Sequence, residues 1–178
     1  DQGLGIAVEH GLELMDSSDV IIIPAWGDDL EPASAPLVKA LQDASAQGKL
    51  IVGLCLGSFV LGDAGLLDGK EATTHWIARD IFAQRFPEAR FRPDVLYVSA
   101  DNIMTSAGTM AAIDCCLHLI RERHGADAAN RTARLLVTPP HRQGGQAQYV
   151  ETPVPQLATE TDLSEVRAWA RRNLSNDL

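Results

Sequence analysis

At 178 residues, 46% hydrophobic and 22% charged, the chain is long enough to bury one sizeable core. Its formal charge of −9 repels polyanions, so this stretch by itself is expected to bind DNA poorly. Three cysteines, two of them adjacent, make a poor disulfide framework; no apolar run nears membrane length, and no signal-peptide pattern opens the chain, so the reading is cytoplasmic, with no membrane partner.

The run Val20-Ile21-Ile22-Ile23-Pro24 reads as a strand buried on both faces of a parallel sheet. Ala33 to Gln47 reads as a helix, with Pro36 tolerated in its first turn, Leu37, Val38 and Leu41 at helical spacing, and Gly48 placed to stop it. Leu50 to Leu54 repeats the buried-strand signal, which completes a βαβ unit and makes the class α/β. A second helix starts near Ser58 and closes at Gly65, Asp68-Gly69 reads as a turn, and Glu71 to Thr73 as a short strand. Ile77 to Phe86 is expected to be helical. Val95 to Ser99 and Ile103 to Thr105 are expected strands about an Ala100-Asp101-Asn102 turn, and Ile113, Leu117 and Ile120 mark one face of a further helix. Beyond Gly125 another helix is expected over Ala126 to Val137, then loop from Gln143 to Thr152, a linker at Pro153 and Pro155, and a capped amphipathic helix from Asp162 past Trp169.

Chemistry concentrates at Gly53-Leu54-Cys55-Leu56-Gly57, a small-x-nucleophile-x-small pattern between a buried strand and a helix. Such a turn strains the residue at its apex and aims its side chain into the crevice at the strand's carboxyl end, while the helix start favours thiolate. Cys55 is therefore a candidate nucleophile or redox-sensitive thiol; the competing reading is a buried small apolar residue. His75, in Thr73-Thr74-His75-Trp76 right after the next strand, is the candidate base, against the plainer reading of a histidine bonded at a helix start or packed on Trp76. Asp28, Asp29, Glu31 and Asp80 read as helix caps or exposed groups, so no full triad is visible. The histidines lack metal-ligand spacing, there is no Cys-x-x-Cys, and no phosphate or dinucleotide fingerprint appears, so neither metal nor cofactor is expected. Cys115 and Cys116 read as core packing, and Arg142 as part of a glycine-rich surface turn.

The motifs Cys55 to Leu61, Ala64 to Lys70 and Ala72 to Trp76 closely resemble the DJ-1/PfpI-like sensor domains of AraC-type regulators. The likeness continues through Thr105 to Thr109, Ile113-Asp114 and Arg142 to Gln146, and Trp169 to Leu174 resembles the first helix of the helix-turn-helix domain that follows in that family. The resemblance implies a flavodoxin-like, class I glutamine amidotransferase-like three-layer sandwich with a mostly parallel sheet, and a homodimer. It also implies a small-molecule pocket at the elbow, with Cys55 and His75 at the superfamily's nucleophile and histidine positions. Hydrolytic members carry a glycine where this chain has Ala25 in Pro24-Ala25-Trp26, and the family begins with strand and helix units, including an acidic residue at the cysteine, that precede the segment matching Asp1 onward. The expected organisation is a sensor domain over 1–155, and a linker with the start of an AraC-type domain over 156–178.

The function expected from this is effector sensing. A metabolite enters between Pro24, Ala25 and Trp26, the elbow at Cys55 and Leu56, and the turn at His75 and Trp76, and it biases an attached DNA-binding domain. The alternatives are a cysteine-dependent hydrolase, amidase or isonitrile hydratase-like enzyme using Cys55 and His75, and a redox switch at Cys55 alone.

Overall fold

The computed structural model describes residues 5, 7–148 and 169. In chain order its elements are β1 (Val20–Ile23), α1 (Ala35–Ala46), β2 (Leu50–Leu54), α2 (Gly57–Asp63), β3 (Glu71–Ala72), α3 (Arg79–Arg85), β4 (Arg90–Phe91), β5 (Tyr97–Ala100), β6 (Ile103–Ser106) and α4 (Met110–Leu135), with short 3-10 turns at Leu12–Ser17 and Trp76–Ala78. The chain divides into two units, Asp1–Gln148 and Tyr149–Leu178. Trp169 is helical; the expected linker at Pro153 and Pro155 and the rest of the expected terminal helix lie outside the described residues.

The expected βαβ unit is present. Val20 to Ile23 pair in parallel with Leu50 to Gly53, and α1 makes the crossover, with Pro36 in its first turn. Gly48, at φ 76°, turns the chain out of α1 in a conformation glycine adopts without strain. On the other side of β2 lies β6, also parallel, so residues from four positions apart in the topology reach one sheet end. The order is β1-β2-β6-β5, with β5 antiparallel to β6 across the expected Asp101-Asn102 turn. Asn102 Nδ2 donates to the carbonyls of Ser45 and Lys49, which fastens that turn to the end of α1.

Residues alternate across the sheet with period two. Ile21, Ile51 and Ile103 join Leu41, Phe59, Leu61 and Phe82 on the face covered by α1, α2 and α3, while Val52, Leu54, Tyr97 and Met104 meet Ala111 and Cys115 of α4 on the other. Phe59 and Phe82 are fully buried and meet edge to face at 5.2 Å, which locks α2 to α3. The three layers expected of the fold are therefore helices, sheet and helix.

One expectation requires correction. Among the described residues Val20–Ile23 is not buried on both faces: β1 lies at the edge of the four-stranded sheet, and Ile22, pointing away from the α1 side, is 42% exposed. The short strand expected at Glu71 is present; β3 pairs in parallel with β4 in a separate two-stranded ribbon that packs beside β5 of the main sheet. Gly125, at φ 85° and ψ 167°, interrupts α4 and separates its two stretches at the boundary the sequence pattern indicated. Gln143 to Gln148 is mostly irregular, as expected, although Ala147 bridges to Val95.

Candidate functional site

The elbow is built by close backbone approach. Cys55 sits at φ 53°, in the left-handed region that costs a non-glycine residue about 1 kcal/mol or more. Its flanking glycines explain how the turn fits: a Cβ on Gly53 would come within 2.9 Å of the Ser58 backbone, and one on Gly57 within 2.2 Å of the Ile23 carbonyl oxygen. The small-x-Cys-x-small spacing thus exists because the start of α2 rests on the end of β1. The Cys55 N–H donates to the Ser106 carbonyl at 3.1 Å, and its own carbonyl accepts from Ser58 Oγ at 2.9 Å. Its side chain is half-buried.

The turn carrying His75 reaches the elbow by side-chain bonds rather than by sheet pairing. Thr73 N–H donates to Thr105 Oγ1 at 2.9 Å, and Thr74 Oγ1 donates to the Cys55 carbonyl at 3.1 Å; both threonines are fully buried. The His75 ring packs against Gly108, where a Cβ would stand 1.9 Å from His75 Cδ2. That glycine, just past β6, is what makes room for the imidazole. His75 Nδ1 accepts the Ile77 N–H at 3.1 Å, so the neutral ring carries its proton on Nε2. The Nε2–H of that ring is then a hydrogen-bond donor. Among the described residues no hydrogen bond joins Cys55 Sγ to His75, and no carboxylate bonds to either. The plainer sequence reading of His75, a histidine bonded at a helix start and set beside Trp76, describes this geometry: the two rings lie 5.7 Å apart.

Ile23, Cys55, His75 and Gly108 therefore converge at one end of the sheet. Pro24 and Ala25 follow β1 there and are exposed, Trp26 is half-buried, and Leu56 packs partly on the α1 side of the core. Trp26 Nε1 donates to the Glu31 carbonyl at 2.7 Å and closes the loop on itself. Arg85 holds the same loop from below, reaching the Leu30 carbonyl at 2.6 Å and Asp63 at 2.7 Å, while Asp63 also accepts the Ala33 N–H. Asp80 is exposed, as expected; Asp28 and Asp29 are exposed as well and do not cap α1, whose N-cap is Ser34. Among the described residues no cluster of three or more His, Cys, Asp or Glu could hold a metal. Under Leu54, on the α4 side, an apolar groove of about 270 Å³ is lined by Ile113, Cys116, Ile120 and Leu136.

Two residues important here carried no chemical signal in the sequence. Asp114, 3% exposed at its side chain, takes the Arg142 guanidinium through Nε at 2.9 Å and through a second nitrogen. That bond raises the arginine's pKa further and turns the presumed surface arginine into a clamp on the 141–148 strap. Gln148, 7% exposed, holds the backbone of the His75 turn. Burial pushes Cys115 up to about 12 and also raises Cys116, so those two are packing thiols, as expected.

Comparison with known proteins agrees with this architecture. The DJ-1/PfpI family model matches residues 1–122. The chain is 33% identical over 135 residues to the HTH-type transcriptional regulator CdhR of Pseudomonas aeruginosa, covering 76% of this chain and 40% of that protein. It is also 33% identical over 170 residues to an isonitrile hydratase of Pseudomonas putida, covering 88% of this chain and 72% of the enzyme. The crystal structure of an AraC family transcriptional regulator from Pseudomonas putida superposes with a TM-score of 0.63 at 25% identity, over 74% of this chain and 70% of that one. The chain thus spans less than half the length of the regulator CdhR.

Proposed function

The chain belongs to the DJ-1/PfpI family, and from that premise we propose that it is the effector-sensing part of an AraC-type transcriptional regulator. A small metabolite enters between Pro24-Ala25-Trp26, the Cys55-Leu56 elbow and His75-Trp76, and its preference for one regulatory state shifts the DNA affinity of the attached domain. The intact regulator would work as a cytoplasmic homodimer and contact DNA through its helix-turn-helix part. The sensor region, with its negative charge, takes no direct share in DNA binding. The observation that carries this reading over a catalytic one is the His75 ring: with Nδ1 accepting the Ile77 N–H and Nε2 protonated, it is set to donate to a bound group rather than to take a proton from Cys55.

One finding favours a second reading, a Cys55-dependent enzyme: the isonitrile hydratase is matched over most of its length, and the strained elbow is the shape such chemistry uses. A single experiment separates the two. The chain is screened against metabolites by thermal shift while each candidate's consumption is followed. Sensing predicts saturable stabilisation of about 2–3 kcal/mol at a hundredfold excess over Kd, loss of that effect in His75→Ala, and no turnover. Absence of any stabilising metabolite sinks the sensor reading; turnover abolished by Cys55→Ser establishes the enzyme.

A further inference from the structure

The segments that frame the crevice at Cys55 lead away into different elements: the loop 24–34 after β1 leads into α1, the elbow into α2, and the His75 turn into α3. All of them meet again at one ion pair. Asp63 ends α2, Arg85 ends α3, and Arg85 Nη2 donates to the two Asp63 oxygens at 2.7 and 2.9 Å. The pair also takes hold of the loop through a donor and an acceptor. Arg85 Nη1 donates to the Leu30 carbonyl at 2.6 Å, and Asp63 Oδ2 accepts the Ala33 N–H at 2.8 Å. The arginine side chain is 24% exposed and the aspartate 11%, so salt screens this pair less than one on the open surface. The guanidinium lies over the Phe59 and Phe86 rings, 5.8 and 5.4 Å from their centres, and its planar fork fixes direction as well as charge.

The loop has a physical need of holding. Leu30 sits at φ 53°, in the left-handed region that a leucine adopts only at a cost, and the Leu30 carbonyl is the group that Arg85 grips. The helices depend on the pair less, because Phe59 meets Phe82 and Phe86 edge to face and joins α2 to α3 through the core. Without the pair the helices keep their places while the loop loses its bonds to both. Its internal bonds, Leu30 N–H to the Gly27 carbonyl and Trp26 Nε1 to the Glu31 carbonyl, remain and keep it together as a flap. Resting on the reading of this crevice as the effector site, we propose that Asp63 and Arg85 are positioning residues that fix the Trp26 loop beside the elbow and so set the size of molecule admitted to Cys55. They act through the loop rather than on the occupant. A molecule larger than the closed aperture enters only when the loop swings out, and the pair sets how often that happens.

Cys55 itself reports the aperture. In a Cys116→Ser background, with Cys115 buried, its rate of reaction with N-ethylmaleimide is compared with that for N-pyrenylmaleimide, reagents of the same chemistry and different bulk. In each case the thiolate adds across the ring's carbon–carbon double bond, and the neighbouring carbon takes a proton from water. Arg85→Met keeps an apolar stem against the phenylalanine rings and removes the donors. The pyrenyl rate is expected to rise about tenfold and the ethyl rate by less than about twofold, because only the larger reagent waits for the loop to open. Arg85→Lys restores a charge without the fork and falls between the parent and the methionine variant. Asp63→Asn, which keeps the shape and removes the charge, shifts the ratio of rates in the same direction should the methionine variant fail to fold. A merely structural pair, whose loss loosens the whole unit, would raise both rates together and leave their ratio unchanged, and that outcome overturns the proposal. So do variants in which neither rate moves. The effector reading fails separately, on the absence of any metabolite that stabilises the parent chain, where the pair is intact.

Discussion

The elbow at Cys55 and the strap at 141–148 meet the same sheet end region but are held by different physics. Backbone fit holds the elbow: glycines at 53 and 57 let α2 and β1 touch, and no ion pair takes part. The strap is held by side chains that cross between distant segments, Arg142 to Asp114 and Gln148 to the His75 turn. At one point it borrows the elbow's device, since a Cβ on Gly144 would stand 2.5 Å from the Tyr97 carbonyl oxygen. The lesson is that a tight turn of fixed residue types resists change as a unit, whereas a strap hung on two polar anchors can be released one anchor at a time.

The sharpest way to break this comparison is Gly57→Ala. The obstacle is the Ile23 carbonyl, which is backbone and cannot rotate away, so a loss of about 3 kcal/mol is expected in urea denaturation. A loss under 1 kcal/mol would mean that the elbow is not held by close approach. The strap should fail more gently. Arg142→Ala leaves a nearly buried Asp114 carboxylate unpaired, but the arginine was itself 38% exposed, so about 2 kcal/mol is expected rather than the full cost of a buried broken pair. Because removing Asp114 as well takes away the orphaned charge, the double alanine variant should lose less than the two single losses added together; additive losses would refute the clamp.

The smallest expected effect compares thiols. Cys115, next to the strap's anchor Asp114, has its folded pKa raised to about 12 by burial, first, and then by the nearby Cys116 and Asp114. A raised acid pKa stabilises the fold below the unfolded value near 9 and withdraws that stability as pH climbs toward 12. Between pH 8 and pH 10 the parent chain should therefore lose about 1 kcal/mol more than Cys115→Ala, and the half-buried Cys55 should be alkylated in the native state while Cys115 is not. Equal pH slopes for parent and variant would remove the buried thiol from the account.

Local sequence determined much of this molecule. The βαβ unit, the elbow, the break at Gly125 and the histidine beside the elbow were all legible because each rests on short-range rules: runs of β-branched residues, glycine where the backbone crowds, and a helix's period. Other features were settled only in three dimensions. That Val20–Ile23 lies at an edge among the described residues, that β3 pairs with β4 outside the main sheet, and that Arg142 finds Asp114 across 28 positions depend on which segments become neighbours. Gln148 is the plainest case. It stood in a polar stretch read as loop, and its sequence neighbours say nothing of the cage around it, because its partners at 73, 74, 76, 93 and 95 are assembled by the fold. Short-range sterics are written residue by residue; the satisfaction of a buried polar group is a property of the finished packing.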